Sequence, residues 1–310
     1  MPTLLLTHPA CLAHDTGDYH PECADRLKAI LVALEEEEFM TLHREQAPQA
    51  TMDHLLRAHS MGHIDYIRRN MPRPGEQAHL DPDTVISEGS WNAALHAAGA
   101  VVAAVDAVAT GQCRNAFCAV RPPGHHAEPK NAMGFCLFNN VAIGALHAQA
   151  EHGLKRVAVI DIDVHHGNGT QEIFFNNPDL FYASTHQSEA YPGTGFRHET
   201  GCADNILNAP LPAGSGSEPW RHVVTTAILP RLRAFKPDLI MMSTGFDAHG
   251  SDPLAHMRLT TNDYYWVTEQ LCDMARELCE HRVVSVLEGG YDLRALAMSS
   301  AAHVRALMGF

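Results

Sequence analysis

The stretch Val157-Ala-Val-Ile-Asp161-Ile-Asp163-Val-His165-His166-Gly167-Asn168-Gly169 joins an apolar, β-branched run to a cluster of carboxylates and imidazoles. A continuous apolar run of this kind suits a strand of a parallel sheet that is covered on both faces. Three other runs have the same design. Residues 116–120 lead into Arg121-Pro-Pro-Gly-His125-His126, residues 239–244 into Gly245-Phe-Asp247-Ala-His249, and residues 283–288 end at Glu288-Gly-Gly-Tyr291. Between them lie helical patterns over 140–152, 219–235 and 262–280. The second has Ser217 as its N-cap and Glu218 and Pro219 in its first turn. Further strands are expected at 4–7 and 180–184, and further helices at 24–39, 91–109 and 294–308. The pattern predicts a single α/β domain over 1–310, doubly wound, with a central, mostly parallel sheet and helices on both faces.

The 310 residues, 45% of them hydrophobic, suffice for one core of ordinary size. Lys plus Arg number 22 against 36 Asp plus Glu, a net charge of −14, which argues against a nucleic-acid face and for cationic partners. The 22 histidines equal all lysines and arginines together. Residues 1–15 hold only a three-leucine apolar run and no basic head, so no secretion signal is expected. The most apolar window, 93–105, is bounded by Asn92 and Asp106 and falls short of the roughly 20 residues of a membrane span. It reads as a buried helix, and no membrane association is expected. The eight cysteines include no CxxC pair and demand no disulfide framework, which fits a cytoplasmic location. Glu35 to Glu38 read as the solvated end of a helix. Residues 70–83 and 186–213 read as long irregular loops, candidates for site walls.

In open α/β sheets ligands bind beyond the carboxyl ends of the strands. Asp163 and His165, two apart at a strand end, project to the same side, and Asp247 can be delivered from another strand. Two carboxylates and one imidazole form a three-ligand set with an open position, the pattern of a catalytic metal, and the N/O donors suit Zn²⁺ or Fe²⁺. His125 and His126 lie in a loop stiffened by Pro122 and Pro123 and supply near-neutral acid–base groups. Asp161 and Asn168 can fix histidine tautomers, and Tyr291 can donate to a polarised carbonyl. No HExxH, GxSxG, P-loop or complete GxGxxG competes.

Together the segments HPECADR (20–26), LDPDT (80–84), RPPGHHA (121–127), GFCLFNN (134–140), VIDIDVHHGNGTQEIF (159–174), YPGTG (191–195), STGFDAHGSDPL (243–254) and LEGGYD (287–292) resemble the zinc-dependent histone deacetylase superfamily. That superfamily includes protein deacetylases, acetylpolyamine amidohydrolases and acetoin-utilisation proteins on an arginase-like fold. The resemblance implies that Asp163, His165 and Asp247 bind one Zn²⁺, that His126 is general base and then acid, that His125 acts through its partner Asp161, and that Tyr291 steadies the oxyanion. His166 is implied to be structural. It further implies a substrate channel at Gly134, Phe135, Tyr191, Leu254 and Gly289. A potassium ion is implied at Asp161, Asp163, His165, Ser184 and Thr185, and a second potassium at Phe174, Asn177 and Leu180.

Departures narrow the subclass. Asn168 stands where class I enzymes carry Asp, a class II-like feature that leaves His126 less biased toward its charged form. Tyr291 stands where some class II members have His, so full deacetylase chemistry is expected. Leu254 stands where class II polyamine deacetylases tend to place Glu, which favours acyl-lysine substrates. Tyr191 is often Phe in relatives, so its hydroxyl bears on substrate preference. The implied activity is removal of acetyl or related acyl groups from lysine-bearing peptides, proteins or lysine-like small amines. The rival readings are an acetylpolyamine or other small-amide hydrolase, a manganese arginase-like hydrolase, and a non-enzymatic acyl-lysine binding module. The oligomeric state stays open between a monomer and a homo-oligomer.

Overall fold

A computed structural model describes residues 2–309. Its strands are β1 (Thr3–Thr7), β2 (His43–Gln46), β3 (Gln77–His79), β4 (Val85–Ser87), β5 (Asn115–Cys118), β6 (Val157–Asp161), β7 (Leu180–Gln187), β8 (Ile206–Leu211), β9 (Leu239–Thr244) and β10 (Val283–Leu287). Its α-helices are α1 (Ala24–Ala33), α2 (Met52–Leu56), α3 (Met61–Arg69), α4 (Ser90–Ala109), α5 (Asn140–His152), α6 (Asn168–Phe174), α7 (Ser217–Val223), α8 (Leu229–Phe235), α9 (Thr261–Leu278) and α10 (Leu293–Met308).

Eight strands form one sheet in the order β2-β1-β5-β10-β9-β6-β7-β8, and every pairing in it is parallel. β5, β6, β9 and β10 are buried along their whole length, which is why their sequences are continuous apolar runs rather than alternating ones. Helices α4, α5 and α6 pack in succession as one layer, and α1, α10, α9 and α8 as another. The α/β reading therefore holds, with a fully parallel main sheet.

Helix α4 shows what a core helix looks like in sequence. It is long and apolar enough to cross a membrane, yet 72% of that apolar window is buried inside the protein. Gly99 lets it approach the chain at Pro48 and Ala50, whose backbone a β-carbon would strike.

The departures from expectation have local causes. The helix predicted over 24–39 ends at Ala33, and the glutamate run lies beyond it, with Glu38 bonded to Arg305 of α10 at 2.5 Å. The helix predicted over 219–235 begins at Ser217 with Gly216, not Ser217, at the N-cap, and is interrupted by a π turn over Val224–Ile228. Pro230 follows that turn; a proline lacks the N–H of a regular helix and its ring crowds the preceding turn, so the widened turn accommodates it. The two expected loops contain structure: β3 and β4 form a hairpin that starts inside the first, and β8 lies inside the second. All eight cysteines are unpaired.

Candidate active site

The four central strands β5, β10, β9 and β6 are neighbours, and their carboxyl ends deliver the tandem histidines, Tyr291, Asp247 and the Asp163–His165 pair to one place. Ligand-type atoms of Asp163, His165 and Asp247 all lie within 4.8 Å of one another. His165 Nδ1 stands 3.1 Å from Asp163 Oδ1 and 3.2 Å from Asp247 Oδ2.

The chain aims these groups through its backbone. Asp163 Oδ2 accepts the N–H of Gly289 at 2.8 Å and Asp247 Oδ1 accepts that of Val164 at 2.8 Å. Gly289, expected in the channel wall, donates the bond to Asp163, and a β-carbon there would run into both Asp163 and Asp247.

Electrostatically the cluster calls for a cation. Burial and the neighbouring Asp163 carboxylate push Asp247 up to about 7. Against burial, hydrogen bonds to Asp163 and Asp247 push His165 up to about 10. Two buried carboxylates, each held by a backbone N–H group, and one imidazole fit a divalent ion of the Zn²⁺ type with its N/O preference.

Beside this cluster the two histidine rings of the β5 loop sit 4.0 Å apart, centroid to centroid. His125 Nδ1 lies 2.9 Å from Asp161 Oδ2, and against burial the charges of Asp161, Asp163 and Glu288 raise its pKa to about 10. Burial, then the His125 and His165 charges, hold His126 well below the usual histidine value. Its Nδ1 faces Asn168 Oδ1 at 2.8 Å, while Asn168 Nδ2 donates to Glu128 Oε1 at 2.8 Å. A carboxylate only accepts, so Glu128 orients the amide, the amide oxygen accepts from His126 Nδ1–H, and Nε2 keeps the lone pair.

Over this floor lies a pocket of about 410 Å³, lined by His126, Gly134, Phe135, His165, Tyr191, Leu254 and Tyr291, all expected from sequence. His79, Pro82, Asp83 and Val85, from the β3–β4 hairpin, complete the wall together with Pro21 and His20, the ring of His20 meeting Phe135 edge-on at 4.8 Å. Burial, chiefly, pushes the Tyr291 phenol up, and the Arg26 guanidinium lies 4.8 Å from its ring centroid.

Other implied residues have firm positions. Asp161 and Ser184 are in register on adjacent strands beneath the ligands, and Thr185 Oγ1 accepts from Trp220 Nε1 at 3.0 Å. His166 is tied to Thr194 at 2.8 Å and to Gln171 at 3.0 Å. The carbonyls of Phe174, Asn177 and Leu180 do converge, but on the side-chain nitrogen of Asn205. These three residues therefore do not fit a second potassium ion here.

Sequence reasoning missed the supports. Glu288, one of the acids at the strand ends, turns away from the metal cluster. Its Oε2 accepts from the N–H groups of Gly124 at 2.7 Å and His125 at 3.1 Å, and its Oε1 accepts from the Ser243 O–H at 2.6 Å. Arg26, fully buried, donates to the carbonyls of Glu288 and Gly290 at 2.6 Å each. Glu22 links Arg26 at 3.0 Å to Arg121 at 2.5 Å, so the β10 loop and the β5 loop share one buried ion network. Glu22, Arg26, Arg121 and Glu288 all lie within segments that carry the family resemblance, but nothing in their spacing pairs them.

A sequence profile of the histone deacetylase domain matches residues 20–307, and the chain belongs to the histone deacetylase family. It is 40% identical to a chloroplastic histone deacetylase 10 of Oryza sativa subsp. japonica, over 99% of this chain and 73% of that one. It is 36% identical to a histone deacetylase-like amidohydrolase of Pseudomonas aeruginosa, over 97% of this chain and 78% of that one. The crystal structure of the HDA15 HD domain superposes with a TM-score of 0.93 at 36% identity, covering all of this chain and 89% of that one. The protein is thus a hydrolase of the deacetylase and amidohydrolase type.

Proposed function

We propose that the protein is a zinc-dependent deacetylase that hydrolyses the acyl amide of a lysine side chain. The observation that carries this reading is that His126 and Tyr291 line the same pocket as His165, a member of the compact Asp163, His165 and Asp247 cluster. A Zn²⁺ ion held by those three residues supplies Lewis-acid polarisation of the amide carbonyl and lowers the pKa of water. Asp161, Asp163, His165, Ser184 and Thr185 would hold a potassium ion, which would supply positive charge among the buried carboxylates.

The chain supplies the rest. Phe135 and Tyr191 grip the linear methylene chain, and Leu254 adds an apolar rim. His126 Nε2, the free lone pair of the pair of rings, takes a proton from the attacking water and returns it to the departing nitrogen. His125, with its Asp161 partner, contributes positive charge beside the developing oxyanion. The Tyr291 hydroxyl donates to that oxyanion, and Arg26 and Asp252 hold its loop in place, the latter accepting Tyr291 N–H at 2.7 Å. The products are a carboxylate and an amine. Asn168 beside His126 supports a class II-like assignment.

The Tyr291→Phe variant is expected to lose about 10²- to 10³-fold in turnover on an acetyl-lysine peptide, as one oxyanion donor is removed. Full activity would overturn the assignment. A second reading, an acetylpolyamine hydrolase, is favoured by Asp83 in the pocket wall, a carboxylate that a second ammonium group can meet. Faster turnover of acetylputrescine than of acetyl-lysine peptide would select it.

A further inference from the structure

The turn that connects α6 to β7 brings three main-chain carbonyls to one point. Asn205 Nδ2 stands there, 3.0 Å from Phe174 O, 3.0 Å from Asn177 O and 2.8 Å from Leu180 O. Converging carbonyl oxygens repel unless something positive lies between them, and a carboxamide NH₂ brings two N–H groups, enough for three acceptors when one is shared. The amide is buried, and its orientation is built in. On the oxygen side lies Gly201, at a φ of +72°, where a β-carbon would collide with Asn205 Oδ1. The main-chain carbonyl of Asn205 accepts from Tyr182 N at 3.0 Å, so the residue is anchored at the start of β8 beside β7.

We propose that the Asn205 carboxamide takes the place of the second monovalent cation, so that a covalently attached group, not a bound ion, orders the α6–β7 turn. The three carbonyls belong to the residues that the family resemblance assigns to that ion. The same turn follows α6, whose first residue, Asn168, bonds His126. The support of the candidate base is then independent of potassium at this position.

The test compares melting temperatures of the zinc-loaded wild type, Asn205→Ala and Asn205→Asp in KCl and in choline chloride at equal ionic strength. A potassium response from the site at Asp161 is common to all three proteins. The expected result is an additional potassium-specific rise of about 4 °C in the two variants, in which the vacated or carboxylate-lined site binds the ion. Equal increments in all three proteins overturn the proposal. Crystals of the wild type soaked in rubidium chloride give an independent reading. No anomalous peak is expected among the carbonyls of Phe174, Asn177 and Leu180, and a peak there overturns the proposal even where neither variant yields folded protein.

Discussion

Among the described residues two groups of three carboxylate and imidazole side chains are compact enough to hold a metal ion, and only one is built as a site. Asp106 of α4 accepts from His147 Nε2 at 2.6 Å and from His152 Nε2 at 2.7 Å, both on α5, a grouping as compact as that of Asp163, His165 and Asp247. Arg57, however, faces His147 Nδ1 at 3.2 Å. A guanidinium only donates, so that nitrogen accepts and Nε2 carries the hydrogen that Asp106 receives. The ring nitrogen nearest the carboxylate is therefore occupied. The Asp106 side chain is also 49% exposed, whereas Asp163 and Asp247 are buried and held by backbone N–H groups. Residue type makes both clusters candidates; what distinguishes them is whether a cationic neighbour fixes a histidine tautomer against metal binding and whether water competes.

The sharpest way to break this comparison is a matched pair of substitutions. Asp247→Asn is expected to remove bound zinc and with it all detectable turnover, while Asp106→Asn leaves one zinc per chain and normal kcat, with a stability loss of about 1 kcal/mol for weakened hydrogen bonds. Metal analysis and chemical unfolding of both variants decide it. Zinc loss in Asp106→Asn would show that the second cluster is a site after all.

A smaller effect is expected at Glu288, which supports the histidine loop without touching the metal ligands. Glu288→Gln presents one oxygen and an NH₂ to three donors, so the loop bearing His125 and His126 loses part of its support. The expected outcome is a fall in kcat of about tenfold, within the range for a misplaced catalytic group, with unchanged zinc content and little change in KM. A normal kcat would make Glu288 a packing residue only.

The smallest effect contrasts imidazoles that face carboxylates with one that faces hydroxyls. His303 is fully buried between Thr268 Oγ1 at 2.6 Å and Ser285 Oγ at 2.8 Å, and burial pushes it down to about 3. The unfolded ring binds a proton below its ordinary value of about 6.5 while the folded ring does not, so stability is lost as pH falls from about 6.5 toward 3, at up to about 1.4 kcal/mol per pH unit. Urea unfolding of His303→Gln at pH 7, 6 and 5 should show a pH slope shallower by about one proton. An unchanged slope would mean that this ring carries none of the acid sensitivity.

The central strands and the ligands that follow them were legible because both obey local rules: a buried parallel strand is a continuous apolar run, and its polar residues sit at its carboxyl end. β2, with the sequence His43-Arg44-Glu45-Gln46, is exposed along its length and carries no apolar signal, and β8 is broken by Asn208 and Pro210. Neither reads as a strand without its partner. The supports were hidden for another reason. Glu288 bonds residues 164 and 163 positions away, and Arg26 bonds the carbonyls of Glu288 and Gly290 at separations of 262 and 264, distances over which spacing carries no information. Gly289 shows the limit most plainly, because its role rests on a missing β-carbon and an N–H, neither of which a motif displays.

The Glu128–Asn168–His126 chain has a consequence for where protons can go. An aspartate in the middle link would be ionisable and would give the ring a second conductor at Nδ1. An amide neither gains nor loses a proton near neutral pH, so it acts as an insulator between the ring and the surface. A proton that reaches His126 at Nε2 must leave by the same nitrogen, and in a site that cleaves amides the group waiting there is the departing amine.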